Sequence, residues 1–207
     1  MPRIDRTARA AELTAFDAQW RIGGRNVAGM DEAGRGPLVG PVVAACVLMP
    51  PDSAIPWVDD SKKLSESRRE ALFEQITAEA LAVGVGMADA EEIDRINILQ
   101  ATKNAMRRAA EQVPAAVYLI DAVRDLGLAG EEVPIIRGDS TSYSIAAASI
   151  VAKVTRDRLL RELDAVYPDY GFARNKGYGT PVHIEALKRL GPCPAHRRSF
   201  IGHFVSL

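Results

Sequence analysis

The sequence predicts an α/β domain, and three observations carry that prediction. After a short N-terminal helix, apolar runs of strand character alternate with stretches of helical periodicity in the order β-β-α-β-α-β-β-α. Two of the strand runs end in acids, Asp31 with Glu32 and Asp121, and Asp139 follows a third. The 207 residues are 47% hydrophobic and 26% charged, an ordinary globular balance with enough chain for one sizeable core.

Thr7 to Trp20 reads as the first helix, and the domain runs without repeat or low-complexity linker from about Asn26. Residues 1–25 are therefore expected to form a short N-terminal helical extension and residues 26–207 one domain. "NVAGMD" and "PVVAACVLM" read as two strands joined across a loop holding Gly36, Pro37, Gly40 and Pro41, which is hairpin-like punctuation. "SESRREALFEQITAEA" begins at a Ser65 cap and sets Leu72, Phe73, Ile76 and Ala80 on one face. The strand "LAVGVGMA" follows it, then a helix over about Ile98 to Gln112. "AAVYLID" reads as a buried strand ending on Asp121, "VPIIRGD" as a short strand ending near Asp139, and a long alanine-rich helix covers about Ser142 to Ala165.

The net charge of -1 says little about partners. Its distribution says more: from Gly171 onward six Lys/Arg (Arg174, Lys176, Lys188, Arg189, Arg197, Arg198) face one acid, Glu185, a basic segment suited to an anionic partner. No apolar run approaches the roughly 20 residues that span a bilayer, and the N-terminal stretch carries charges throughout, so the expected location is cytoplasmic with no membrane partner. Cys46 and Cys193 support neither a disulfide framework nor a Cys-based zinc site. His183, His196 and His203 lack the short spacing of a helical metal site and are expected in separate surface or phosphate-facing roles.

Acids at the ends of separate strands can share one pocket, because sites in α/β sheets form outside strand carboxyl ends. Taken singly, Asp121 could end a strand in a turn, Asp139 could cap the long helix and Asp31 could start a turn. Glu32 weighs against that set of structural roles, because a second acid directly after Asp31 gains nothing from capping and adds repulsion. Oxygen ligands without nearby His or Cys suit Mg²⁺ or Mn²⁺. Beside such a site, Gly34 and Gly36 let backbone amides approach a ligand closely, with Arg35 between them.

These pieces together resemble a known family, the bacterial ribonucleases HII or type 2 ribonucleases H. The matching stretches are "GMDEAGRGPLVGPVVAA", "DDSKKLSESRRE", "NILQATKNAM", "YLIDA", "RGDSTSYSIAAASIVAKVTRD", "YPDYGFARNKGYGT" and "HRRSF", in order over residues 29 to 200. The resemblance implies a ribonuclease H-like mixed sheet flanked by helices, with a helical C-terminal portion that clamps substrate. It implies hydrolysis on the 5′ side of ribonucleotides in RNA/DNA hybrids, or of single ribonucleotides embedded in duplex DNA, leaving a 3′ hydroxyl and a 5′ phosphate. It also implies a part in removing misincorporated ribonucleotides. Asp31, Glu32, Asp121 and Asp139 match the four metal-holding acids, and Gly34, Arg35 and Gly36 match the loop that senses the ribose 2′-OH. Tyr178 matches the tyrosine that stacks at the junction of ribonucleotide and deoxyribonucleotide, and Lys62, Lys63 and Lys153 resemble positions near phosphates. Ala122 departs from the glycine usual after the third acid. "SFIGHFVSL" holds no glutamine-led sliding-clamp motif, and the chain is expected to act as a monomer. The sister family, ribonuclease HIII, carries an N-terminal platform domain for which about 25 residues are too few.

Three further readings compete. Arg137 to Ser140 spells an adhesion tetrapeptide, for which a cytoplasmic chain has no receptor. Ser149 and Lys153, four apart on a helix, could form a serine-lysine nucleophile pair of a hydrolase. A noncatalytic nucleic-acid binding module would use the basic segment and leave the acids structural, though acids facing a polyanion without metal would repel it.

Overall fold

The computed structural model describes residues 5–205. Helix α1 (Arg6–Ala18) is followed by strands β1 (Val27–Ala33) and β2 (Val42–Leu48), helix α2 (Glu66–Glu79) and strand β3 (Ala82–Ala88). Helices α3 (Ala90–Ile96) and α4 (Ile98–Ala110), strands β4 (Val117–Asp121) and β5 (Glu131–Ile135), and the long helix α5 (Tyr143–Val166) come next. Three short helices finish the chain: α6 (Phe172–Asn175), α7 (Pro181–Leu190) and α8 (Arg198–Ile201).

The strands form one mixed sheet in the order β3-β2-β1-β4-β5. β1 and β2 pair antiparallel, as the glycine and proline punctuation between them predicts; β2 and β3 also pair antiparallel, while β1–β4 and β4–β5 are parallel. Alternation along β1 and β2 sends Ala45 and Val47 to a core under α5, and Ala28, Met30, Ala44 and Cys46 to a second core under α4. The sheet is therefore covered on both faces, which explains why β2 reads as an unbroken apolar run. Among the described residues no helix is long and apolar enough to cross a membrane.

Helix α2 starts where the sequence predicts: the Ser65 hydroxyl accepts the Arg68 N–H. Leu72 and Ile76 are buried, Phe73 lies under the Arg158 guanidinium, and Ala80 is the capping residue past the last turn. Helix α3 escapes a periodicity reading because seven residues complete fewer than two turns. It begins at an Asp89 cap and is divided from α4 by Asn97, whose left-handed backbone (φ 67°) stops one helix while its side chain caps the next.

Two close contacts fix α5 against its surroundings. Gly29 in β1 lies directly under the first turn of α5, where a Cβ would overlap the backbone carbonyl of Ser144. Helix α1 packs Ala10 and Leu13 into the α5-side core, and its buried Asp17 accepts the Ser144 N–H at 2.8 Å. Burial raises the Asp17 carboxyl above its ordinary pKa.

Candidate active site

β1 and β4 run parallel with Met30 beside Ile120, so the next residues, Asp31 and Asp121, stand together at one end of the sheet. Asp139 arrives from the turn between β5 and α5, and oxygens of Asp31, Asp121 and Asp139 lie within 4.8 Å of one another. That turn is built by the site itself. Arg137 adopts a left-handed conformation, Gly138 N–H donates to Asp121 Oδ1 at 2.8 Å, and Ser142 caps α5 by accepting the Ile145 N–H. Glu32 stands apart from the trio for a simple reason: successive strand residues face opposite ways, and Glu32 pairs with Ala44 on the α4 side while Asp31 pairs with Ala45 on the α5 side. Both acids nevertheless line the same cleft at the sheet's end.

The cluster is short of positive charge. Burial, then the charges of Glu32 and Asp121, push the Asp31 carboxyl well above its ordinary pKa. Burial also raises Asp121, against the pull of the Gly138 N–H, and raises Glu32, against the nearby Arg35 guanidinium. Arg35 reaches Glu32 Oε1 only at 3.4 Å, and Glu32 Oε2 is buried with no hydrogen-bond partner. Lys62 Nζ bonds Asp139 Oδ2 at 3.1 Å, one largely exposed ammonium against four carboxylates. An orphaned carboxylate oxygen beside an all-oxygen donor set fits a hard divalent cation such as Mg²⁺ or Mn²⁺.

The remaining residues singled out from the sequence line the same cleft: Gly34, Arg35, Gly36, Lys62, Lys153 and Tyr178. Tyr178 is 50% exposed, so its ring is available to a ligand. Lys63 turns away to Asp59 and Asp60. The Lys153 ammonium, lowered in pKa by burial, bonds Asp157 Oδ1 at 2.7 Å, whereas Ser149 Oγ donates to the Ala146 carbonyl of its own helix. The two are engaged separately, which removes the serine-lysine reading. Gly138 and Asp139 of the adhesion-like tetrapeptide are buried. Ala122 holds φ at 54°, a left-handed conformation that favours glycine.

Two expectations about the C-terminal segment need correction. His183 and His196 are buried against each other, neither on the surface nor facing a phosphate, because Tyr170 and Phe172 pack around both rings. Their nitrogens lie 3.1 Å apart (Nε2 to Nε2), His183 Nδ1 is 2.8 Å from the Tyr178 carbonyl, and His196 Nδ1 accepts the Cys193 N–H. A consistent set of donors follows: His196 carries its proton on Nε2 and gives it toward His183, which carries its own on Nδ1 and gives it to Tyr178. Only His203 is exposed.

Arg197, counted above in the basic segment, is also fully buried. Its guanidinium donates to the carbonyls of Gly34, Arg35, Pro37 and Gly40 at 2.7–3.0 Å. Arg156 on α5 does the same for Val39, Pro41 and Lys176, and its side chain fills the space that a Cβ on Gly34 would need. Neither arginine has a carboxylate partner among the described residues, and burial lowers them to about 10 (Arg156) and about 9 (Arg197). Sequence reasoning missed both as structural cations; the one signal available was the absence of acids around "HRRSF".

A two-faced mixed sheet that delivers carboxylates from adjacent parallel strands into a cleft with glycine-rich and basic walls defines a nuclease of the ribonuclease H-like fold. The chain belongs to the Ribonuclease HII family, whose pattern matches residues 28–203. A Ribonuclease HII of Ruminiclostridium cellulolyticum is 56% identical over 200 residues, covering 95% of this chain and 78% of its own. One from Geobacter metallireducens is 57% identical over 204 residues, covering 98% and 96%. The crystal structure of the ribonuclease H2 from Pyrococcus horikoshii superposes with a TM-score of 0.72 at 28% identity, covering 84% of this chain and 93% of that one. Membership makes the protein an endonuclease with ribonuclease H activity, and the binding-only reading falls with it.

Proposed function

We propose that the protein hydrolyses the phosphodiester on the 5′ side of a ribonucleotide, within RNA paired to DNA or standing singly in duplex DNA, leaving a 3′ hydroxyl and a 5′ phosphate. In the cell this reaction opens the excision of misincorporated ribonucleotides. The observation that carries the reading is the meeting of three carboxylates within 4.8 Å at a cleft walled by the Gly34–Gly36 loop and Tyr178.

Asp31, Asp121 and Asp139, with Glu32 from the other face of the sheet, would hold Mg²⁺ or Mn²⁺. When bound in such a site, divalent cations provide a water nucleophile at neutral pH and neutralise charge gathering on the phosphoryl oxygens. The chain's own residues do the rest. Lys62 and Lys153 place positive charge where the scissile strand's phosphates pass. Gly36, whose bare side lies beside the Tyr178 ring, leaves the loop amides room to approach the 2′-OH, the group that separates RNA from DNA, and the bare side of Gly34 admits Arg156 beneath the loop. The Tyr178 ring packs on the neighbouring deoxyribose, where a second 2′-OH would crowd it.

The test is a labelled DNA duplex with one ribonucleotide, incubated with Mg²⁺ or Mn²⁺ beside an all-DNA control. A single cut 5′ to the ribonucleotide, with a 5′ phosphate on the downstream fragment, is expected. A 2′,3′-cyclic phosphate end would reject the reading, because it requires the 2′-OH as nucleophile.

A further inference from the structure

The loop from Gly34 to Pro41 lies between the cleft and a buried guanidinium. Arg197 is fully buried, does not line the cleft, and spends four N–H···O contacts on the carbonyls of Gly34, Arg35, Pro37 and Gly40. Its own N–H also donates to the Leu38 carbonyl at 2.9 Å. Burying a cation without a carboxylate is costly. Only a planar fork with five donors can satisfy itself on so many separate carbonyls, whereas a lysine ammonium offers three donors from one point.

Peptide geometry turns this anchoring into an aim. No peptide bond among the described residues is cis, and in a trans peptide the N–H points opposite to the C=O. Drawing the Gly34 and Arg35 carbonyls toward Arg197 therefore turns the N–H groups of Arg35 and Gly36 away from it. Neither N–H has an acceptor among the described residues. Both residues line the cleft that contains the acids and Tyr178.

We propose that Arg197 is a positioning residue for ribose recognition: by holding the carbonyls of Gly34 and Arg35 it presents the two adjacent amides of Arg35 and Gly36 to the 2′-OH. The inference rests on the ribonucleotide reading above. It adds a residue that never touches substrate and that decides whether the loop can discriminate. A sugar with a 2′-OH meets two prealigned donors, and a deoxyribose leaves them unpaired.

The experiment compares wild type with Arg197→Lys, which keeps the charge and loses the fork. Two duplexes differing by a single 2′-hydroxyl are bound in EDTA and followed by fluorescence anisotropy, so that carboxylate repulsion is common to both and cancels in the ratio of Kd values. Wild type is expected to prefer the ribonucleotide duplex by about tenfold, the worth of roughly one to two net hydrogen bonds. In Arg197→Lys the ratio should fall to about one, while Mn²⁺ binding measured by calorimetry stays unchanged. A merely structural role would weaken both duplexes in parallel and keep the ratio, which overturns the proposal and leaves the ribonucleotide reading standing. A wild type with no ribose preference and no cleavage overturns both. Should Arg197→Lys not fold, hydrogen exchange on wild type decides. The Arg35 and Gly36 amides should exchange freely in the unbound protein and become protected by the ribonucleotide duplex alone; protection before any duplex is added would overturn the proposal.

Discussion

Two regions of this molecule each concentrate charge of one sign, and they handle it in opposite ways. At the end of the sheet, Asp31, Asp121 and Asp139 crowd together, with Lys62 the one side-chain cation bonded to the trio among the described residues and an oxygen of Glu32 left without a partner. Some 160 residues along the chain from the first acid, Arg197, with Arg156 from α5, buries positive charge with no carboxylate bonded to it among the described residues, and backbone carbonyls accept from both guanidiniums instead. Backbone dipoles can complete a cation inside the fold; the acids are left for something from outside to complete. The difference separates a region built to bind from one built to stay still.

Loss of a carboxylate from the acid cluster should cost the enzyme most. Asp31→Asn or Asp121→Asn should lower kcat/KM at least about a thousandfold, since each removes charge from the carboxylates that would hold a metal, with little change of shape. The same substitutions should raise the melting temperature of the metal-free protein at pH 7. The sign follows from linkage: the Asp31 carboxyl is raised on folding, so ionising it opposes folding, and the penalty vanishes as pH falls below its ordinary value of 3.8. Near-native rates, or a melting temperature in EDTA that drops clearly, would contradict the clustering.

The mirror experiment is Arg156→Met. It strands the buried carbonyls of Val39, Pro41 and Lys176, and after the relief of an uncompensated cation about 3 kcal/mol of stability should be lost. Urea unfolding measures it; a gain in stability would mean that the guanidinium is tolerated rather than needed.

The histidine pair tests the same still region by pH. His196 is lowered to about 4 by burial and by His183, from an ordinary 6.5. A base whose folded pKa lies below its unfolded value binds protons more readily when unfolded, so its stabilisation is complete above about pH 6.5 and fades as pH falls toward 4. Roughly 3 kcal/mol should disappear over that interval. The stability gap between wild type and His196→Gln should therefore narrow from pH 7.5 to 4.5, and a gap that does not change with pH rejects the assignment.

Smaller effects are expected where the two regions meet. Tyr178→Ala should slow cleavage at a single embedded ribonucleotide ten- to a hundredfold more than cleavage within continuous RNA paired to DNA, the worth of a stacking contact of roughly 1–3 kcal/mol. An unchanged ratio of kcat/KM on the two substrates would return discrimination to the Gly34–Gly36 loop alone. Ala122→Gly relieves a left-handed alanine directly after Asp121, and should stabilise by up to about 1 kcal/mol in thermal melts. A loss of stability there would show that the alanine methyl packs usefully.

Much of this arrangement was legible in the sequence, and the parts that were not have a common cause. Strand runs, the Ser65 cap and the long α5 helix announce themselves locally, and acids at the ends of "NVAGMD" and "AAVYLID" point to a shared pocket because a parallel sheet gathers strand ends. Helices α3, α6 and α8 are too short to carry a period. Arg156 looks like any arginine on a helix and Arg197 like part of a basic tail. Their burial is set by contacts more than 100 residues distant, which no local pattern encodes. His183 and His196 meet only because α7 and the segment before α8 fold onto each other.

Gly29 gives the acid site its dimension. Two residues before Asp31, it lets the backbone of β1 rest against the backbone of α5 at Ser144, and Asp139 rides on the turn that leads into that same helix. The spacing between Asp31 and Asp139 is thus gauged by main chain stopped against main chain, a hard stop that no rotamer change can loosen. A single methyl at position 29 would act as a shim, lifting the helix and widening the jaw. Ions are sorted by oxygen distances that differ by only a few tenths of an ångström, about 2.1 Å for Mg²⁺ against 2.3–2.6 Å for Ca²⁺, so the calibre that a cation would meet between these acids is written into a residue outside the cluster.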